Sequence, residues 1–236
     1  MGVMMKRRTQ WANARSCAGC PVRFSGLFAG LTDDDFDLLH EPIQEAELEP
    51  GDALYHQGDE AKFVVTVREG LLKNIVLQPN GDERIVRMVR PGGASGLEAL
   101  RGGDYSHTAI AISKVSACFL PASAVNALAQ ETPRMHESLM SKWHDALQDA
   151  DFWMSALHTG TARQRVSRFL LALSDGQGRV SILPKRSDMG SVLGLTTETV
   201  SRVVADFRRE GWLLRNPSLG WAINRHSIEM EAEDAA

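Results

Sequence analysis

At 236 residues the chain is long enough for two domains of ordinary size, each with its own core, and its formal net charge of −4 excludes a uniformly basic polyanion binder, so any nucleic-acid surface has to be local. No apolar run approaches the roughly eighteen residues that cross a membrane, and Met1–Arg8 lacks an apolar secretory core, which predicts a cytoplasmic protein with no membrane partner. Three cysteines, an odd number, argue against a disulfide framework and turn the question to metal or redox chemistry.

Residues 1–30 read as an N-terminal tail. Met1 to Asn13 is basic, carries Trp11 and has little periodicity, so a loose segment is expected. Cys17-Ala18-Gly19-Cys20 follows. A C-x-x-C spacing lets two sulfurs meet one metal or iron–sulfur cluster, and equally lets them close a strained redox disulfide. Thr32 with Asp33, Asp34 and Asp35 ahead of Phe36, Leu38 and Leu39 predicts a capped helix with its acids in the first turn, where the macrodipole favours them.

Between Glu47 and Leu120 the period shortens. Short apolar segments such as Phe63–Val67, Leu71–Leu77, Arg84–Val89, His107–Ile112 and Val115–Leu120 are punctuated by Gly51, Gly58, Gly70, Gly81, Gly92 and Gly103. This pattern predicts an antiparallel β-roll or barrel over 31–132. A cupin-type metalloenzyme is the rival from another class. It needs several convergent His and carboxylate ligands, and the segment offers only His56 and His107, on different strands.

Pro133 opens a helix expected to run to about His158, within a segment 133–159. Leu139, Trp143, Leu147, Ala150, Trp153, Met154 and Leu157 fall at three- and four-residue steps, the spacing of a coiled-coil seam. A stripe of this length is buried either by a second copy of the chain or along the roll of its own chain. Gly160 breaks the helix, and 160–236 forms the last domain. Arg179–Leu183, Trp212–Arg215 and Gly220–Asn224 read as strands with a turn at Asn216–Gly220, and Glu229 to Ala236 as a frayed acidic end.

Inside this domain, Lys185–Leu193 predicts a short helix, Gly194 a tight turn, and Thr197 onward a second helix capped by Thr196 or Thr197. Leu195, Val200, Val203, Val204 and Phe207 make its inner stripe, while Thr197, Glu198, Ser201 and Arg202 share the outer face. Arg grips guanine O6 and N7, and Glu accepts from cytosine N4. The pair is a helix-turn-helix for the DNA major groove, with flanking strands as a wing and Lys185 and Arg186 as further basic contacts. Arg163, Arg165, Arg168, Arg179, Arg208, Arg209 and Arg215 add to the basic character of this third of the chain, whereas acids dominate from Asp33 to Glu60.

A glycine-punctuated roll, a long pairing helix and a winged helix-turn-helix, in this order, resemble the CRP/FNR family of bacterial transcription regulators over about Cys17 to Ile223. Leu193 to Arg202 looks like the FNR branch. The resemblance implies an α+β fold: a cyclic-nucleotide-binding-type antiparallel β-roll with a sensory role, a dimerisation helix and a C-terminal winged helix-turn-helix. It implies a homodimeric, non-enzymatic regulator that partners RNA polymerase. Glu198, Ser201 and Arg202 would read TTGAT-type half-sites of a palindrome.

Relatives that bind cyclic nucleotides hold the phosphate with an Arg-Ser pair. The matching stretches here, Gly96-Leu97-Glu98-Ala99 and Tyr105-Ser106-His107-Thr108-Ala109, supply no arginine, so no cyclic nucleotide is expected. FNR-type sensors hold a [4Fe–4S] cluster with three N-terminal cysteines and one late in the roll. Cys17, Cys20 and Cys118 match three of these positions, and the remaining one falls at Phe28 or Gly26. Three readings stay open: a cluster with a non-cysteine fourth ligand (Asp, Glu, His or water), a thiol–disulfide switch, and no metal site with haem, a nitrogen oxide or nothing as effector.

Overall fold

The computed structural model describes residues 6–9, 17, 19–39, 41–78, 81, 83–216 and 220–233. The chain divides into two compact units, Met1–Leu147 and Gln148–Ala236. The division falls inside the long helix, upstream of the expected break at Gly160.

The first unit is built on two antiparallel sheets. Five strands, β1 (Lys6–Thr9), β2 (Gln44–Leu48), β9 (Val115–Pro121), β4 (Phe63–Glu69) and β7 (Ala94–Ser95), pair in that order. The second sheet orders β3 (Ala53–Tyr55), β8 (Thr108–Ala111), β5 (Leu72–Leu77) and β6 (Glu83–Val89). Alternate residues of β2, β4 and β9, namely Ala46, Leu48, Val65, Val67, Val115, Ala117 and Phe119, are buried in the roll core, as period-two patterning demands. The loose segment expected at the N-terminus is in part a strand: β1 lies antiparallel on β2, Lys6 opposite Glu47 and Arg8 opposite Glu45. Trp11 lies outside the described residues.

Helix α1 (Asp33–Phe36) starts where the acids predict, with Asp35 accepting from the Thr32 N–H and hydroxyl. After β9, α2 (Ala122–Glu131) packs Val125 and Leu128 into the core; no expectation covered it. Thr132 separates it from α3 (Pro133–Ser155), which stops three residues before the expected end.

The stripe on α3 divides in three. Leu139 is half-buried against the roll core, Ala150 is half-buried, and Trp143, Leu147 and Met154 are 39%, 61% and 75% exposed. Leu157 departs from the expected seam, because it lies past the helix end and is fully buried.

The second unit packs α4 (Ala162–Leu173), α5 (Arg186–Leu193), α6 (Thr197–Arg209) and α7 (Arg225–Glu233) with a three-stranded antiparallel sheet ordered β10 (Arg179–Val180), β12 (Gly220–Ile223), β11 (Leu213–Asn216). Phe169, Leu170, Met189, Leu193, Val200 and Phe207 are fully buried. The acidic end is not frayed up to Glu233. Ile228 and Ala232 are buried, and Arg168 donates to the Ala232 carbonyl at 3.0 Å. Residues 234–236 lie outside the described set, as does the middle of the turn at 217–219.

Candidate functional site

Two places bring function-bearing side chains together. The first is the α5–turn–α6 segment. Gly194 closes α5 at φ +62°, a left-handed conformation that favours glycine. Gly190 lets the turn come close, since a Cβ there would stand 2.6 Å from the Leu195 carbonyl oxygen. Thr196 is the cap, its hydroxyl accepting from the Thr199 N–H at 3.1 Å.

On the outer face of α6, Thr197, Glu198, Ser201 and Arg202 are all exposed. Ser201 donates its hydroxyl to the Thr197 carbonyl at 2.7 Å, and Arg202 pairs with Glu198 at 3.4 Å. An exposed pair of this kind stabilises by only about 0–1 kcal/mol, so both groups remain free to take other partners. Lys185 is exposed at the start of α5. Arg186 is half-buried with Nη1 3.4 Å from the Met189 sulfur, and burial, together with nearby Arg208, pushes its pKa down.

Several arginines of this basic third are structural instead. Arg163 pairs with Glu210 and Glu231 and lies over the Phe207 and Trp212 rings. Arg168 donates to the Ala156 and Thr159 carbonyls, and Arg179 pairs with Asp175. Arg179, Arg202, Arg208, Arg209 and Arg215 are the exposed ones among the arginines singled out in the sequence.

The second place is a cavity on the outer face of the five-stranded sheet. Cys17, Cys20 and Cys118 all line it, with Glu45, Arg68, Thr66, Gly26 and Phe28. Strand register explains the convergence. Glu45 faces Cys118 across β2–β9, Thr66 faces Cys118 across β4–β9, and directly opposed residues share a face. Arg68 follows Thr66 by two residues, so strand alternation puts it on the same face, just where the β4–β9 register shifts between Val67 and Glu69.

Cys17 and residues 19–31, the latter largely in consecutive turns, lie over this face, with Arg23 donating to the Phe28 and Leu31 carbonyls. Both positions proposed for the missing thiol border the cavity. Phe28 packs edge-on against Phe36, and Gly26 leaves its place without a side chain.

Burial pushes the Cys118 thiol up to about 12, against the opposing pull of Arg68, and raises Cys17 as well, with Cys20 next in effect. Arg68 pairs with Glu45 at 2.6 Å. Its Nε and the Thr66 hydroxyl are buried and have no hydrogen-bond partner. Buried donors without acceptors are rare and costly. Three soft thiols, one carboxylate and two unpartnered donors facing one cavity fit an anionic, sulfur-rich group such as an iron–sulfur cluster. Among the described residues no three His, Cys, Asp or Glu side chains stand close enough to hold a single metal ion.

A third concavity is lined by Leu97, Glu98, Ser106 and His107, the stretches matched to a cyclic-nucleotide site, and by Arg87, Arg101, Trp143 and Ala146. The absence of arginine read from those stretches is thus corrected by the fold, which brings Arg87 from β6 and Arg101 from the 3₁₀ turn Leu97–Arg101. Glu98 already accepts from the Ser106 N–H at 2.9 Å and faces His107. His107 Nε2 meets Asn74 at 2.7 Å and the Tyr55 hydroxyl at 3.0 Å. His56, the other barrel histidine, is exposed on a turn.

An antiparallel β-roll in one unit and a winged helix-turn-helix with an exposed polar face in the other define a DNA-binding regulator. The comparisons agree. Residues 45–132 match the cyclic nucleotide-binding domain family, and 164–224 match the Crp-like helix-turn-helix domain. The chain is 30% identical over 203 residues to the transcriptional activator protein Anr of Pseudomonas aeruginosa, covering 83% of each chain. It is 25% identical over 227 residues to the fumarate and nitrate reduction regulatory protein of Escherichia coli K12, covering 93% of this chain and 88% of that one. The structure of FixK2 from Bradyrhizobium japonicum superposes with a TM-score of 0.72 at 26% identity, covering 82% of this chain and 99% of that one.

The chain belongs to the CRP/FNR family of transcription regulators. Its relatives are regulators and not enzymes, which sets the cupin-type reading aside. Among the described residues no helix is long and apolar enough to cross a membrane.

Proposed function

We propose that this regulator is a homodimer that binds palindromic TTGAT-type sites and responds to oxygen or redox state through a [4Fe–4S] cluster held by Cys17, Cys20 and Cys118. The observation that carries the sensing half is the convergence of these three cysteines, separated by up to about a hundred residues, on one cavity with two unpartnered donors. When bound, the cluster supplies a redox-active group that oxygen can attack. The chain's part is to hold it with thiolates, shield it under residues 17–31 and offer donors to its sulfurs. A haem or nitrogen-oxide effector has no specific support in the cavity, and a cyclic nucleotide is not part of this reading, because the Ser106 N–H is already taken by Glu98.

Dimer formation rests on Trp143, Leu147 and Met154, apolar and exposed on α3. Two such protomers carry two α6 helices to half-sites about one DNA turn apart, where Thr197, Glu198, Ser201 and Arg202 read bases, Lys185 and Arg186 lie toward the backbone, and RNA polymerase is the downstream partner. Anaerobic purification followed by iron and sulfide determination, with gel shifts on a TTGAT palindrome and a scrambled duplex before and after air, tests both halves. Expected are a coloured protein and a preference for the palindrome that air diminishes. A colourless, iron-free dimer with unaltered binding overturns the sensing half, and equal binding to both duplexes overturns the reading half.

A further inference from the structure

The family pattern leaves one ligand position without a cysteine, and the sequence alone does not rank Asp, Glu, His or water for it. The fold narrows the choice. Among the described residues, Glu45 is the only carboxylate that lines the cavity shared by Cys17, Cys20 and Cys118, and no histidine lines it. Glu45 sits directly across the β2–β9 ladder from Cys118, so a strand pairing fixes the two side chains on one face. The places where a third N-terminal thiol would fall carry a ring committed to Phe36 and a glycine.

We propose that Glu45 is the fourth iron ligand of the site, and that Thr66 and Arg68 donate hydrogen bonds to the group it helps to hold. This rests on the cluster reading above. Glu45 binds as the carboxylate, giving a lone pair from one oxygen to iron. The other oxygen keeps the pair with Arg68, which contacts Oε1, so no proton has to move. Thr66 is 5% exposed and its hydroxyl has no partner, and the Arg68 Nε is likewise unsatisfied on the same cavity wall. Acceptor sulfurs in the cavity would satisfy both. The Arg68 guanidinium also offsets the negative charge that three thiolates and a carboxylate bring to one place.

The test uses the full-length protein, reconstituted anaerobically with ferrous iron and sulfide, and counts iron and acid-labile sulfide per chain alongside electron paramagnetic resonance. Wild type is expected to hold about four irons and Glu45→Gln about three, with the resonance of a three-iron centre. If Glu45→Gln holds no cluster at all, Glu45→Cys decides: recovery of the cluster supports a ligand at this position, and failure to recover overturns it. Four irons and an unchanged resonance in Glu45→Gln, or three irons already in wild type, overturn the proposal while the cluster reading stands. A wild type without iron and sulfide overturns both. Thr66→Val should keep the iron count and lose visible absorption in air roughly ten-fold faster, in line with the loss of an outer hydrogen bond at a metal site, and an unchanged rate removes Thr66 from the donor set. Circular dichroism of each variant checks that the roll is folded.

Discussion

The reading helix α6 and the cysteine cavity solve the same problem, presenting polar groups at a defined spot, by opposite routes. α6 takes its whole constellation from six consecutive residues, Thr197 to Arg202, with a cap at Thr196 and a buried stripe beneath. The cavity gathers Cys17 and Cys20 from a turn segment, Glu45 from β2, Thr66 and Arg68 from β4, and Cys118 from β9. Its outer groups are half-buried or buried, and two of its donors lack partners, whereas the α6 groups are exposed and loosely tied to one another. A site made locally is legible in sequence and tolerant of solvent. One made across strands depends on register.

The contrast can be broken most forcefully at Phe207, which anchors α6. Phe207→Ala should cost about 3–5 kcal/mol in denaturant unfolding of the C-terminal unit and abolish palindrome binding, with iron content unchanged. Loss of iron as well would mean that the two sites are not separable. Next in size, Leu147→Glu puts a charge on the exposed stripe of α3 and should turn the dimer into a monomer by sedimentation, weakening palindrome binding more than ten-fold; a dimer that persists would move the seam elsewhere.

Arg202→Ala should weaken specific binding by about 1–3 kcal/mol, read as an affinity ratio between TTGAT and scrambled duplexes at fixed salt, while nonspecific binding changes little. Thr196→Ala removes only the cap and should lower stability by about 1 kcal/mol, with a smaller loss of DNA affinity. The finest effect concerns the roll. Burial holds the His107 pKa below its ordinary value, with Glu98 opposing and Arg87 adding to the depression. The unfolded chain therefore takes up the proton first. Stability from neutral His107 is complete above pH about 6.5 and is lost as pH falls through the lower folded value; His107→Gln should flatten this limb in pH-dependent melting.

Much of the molecule was legible from local chemistry. The glycine-spaced strands, the Thr32 cap, the α5–Gly194–α6 unit and its inner stripe stand where periodicity and capping put them. What failed locally failed for tertiary reasons. The basic N-terminal segment has no strand signal and becomes β1 because β2 offers a free edge. Leu157 continues the α3 spacing but lies beyond the helix and is fully buried. The Arg163 and Arg168 charges look like a DNA surface in a count and are taken up by Glu210, Glu231 and backbone carbonyls.

By itself the sequence determined the class of protein and the outer face of α6, because a capped amphipathic helix needs only near neighbours to specify which residues point outward. It also marked the three cysteines, through their spacing and the family resemblance. Only the tertiary structure decided what stands beside them. Cross-strand pairing sets Cys118 between Glu45 and Thr66 on the wall that Arg68 also lines, pairings between residues up to seventy-three positions apart that no local period encodes.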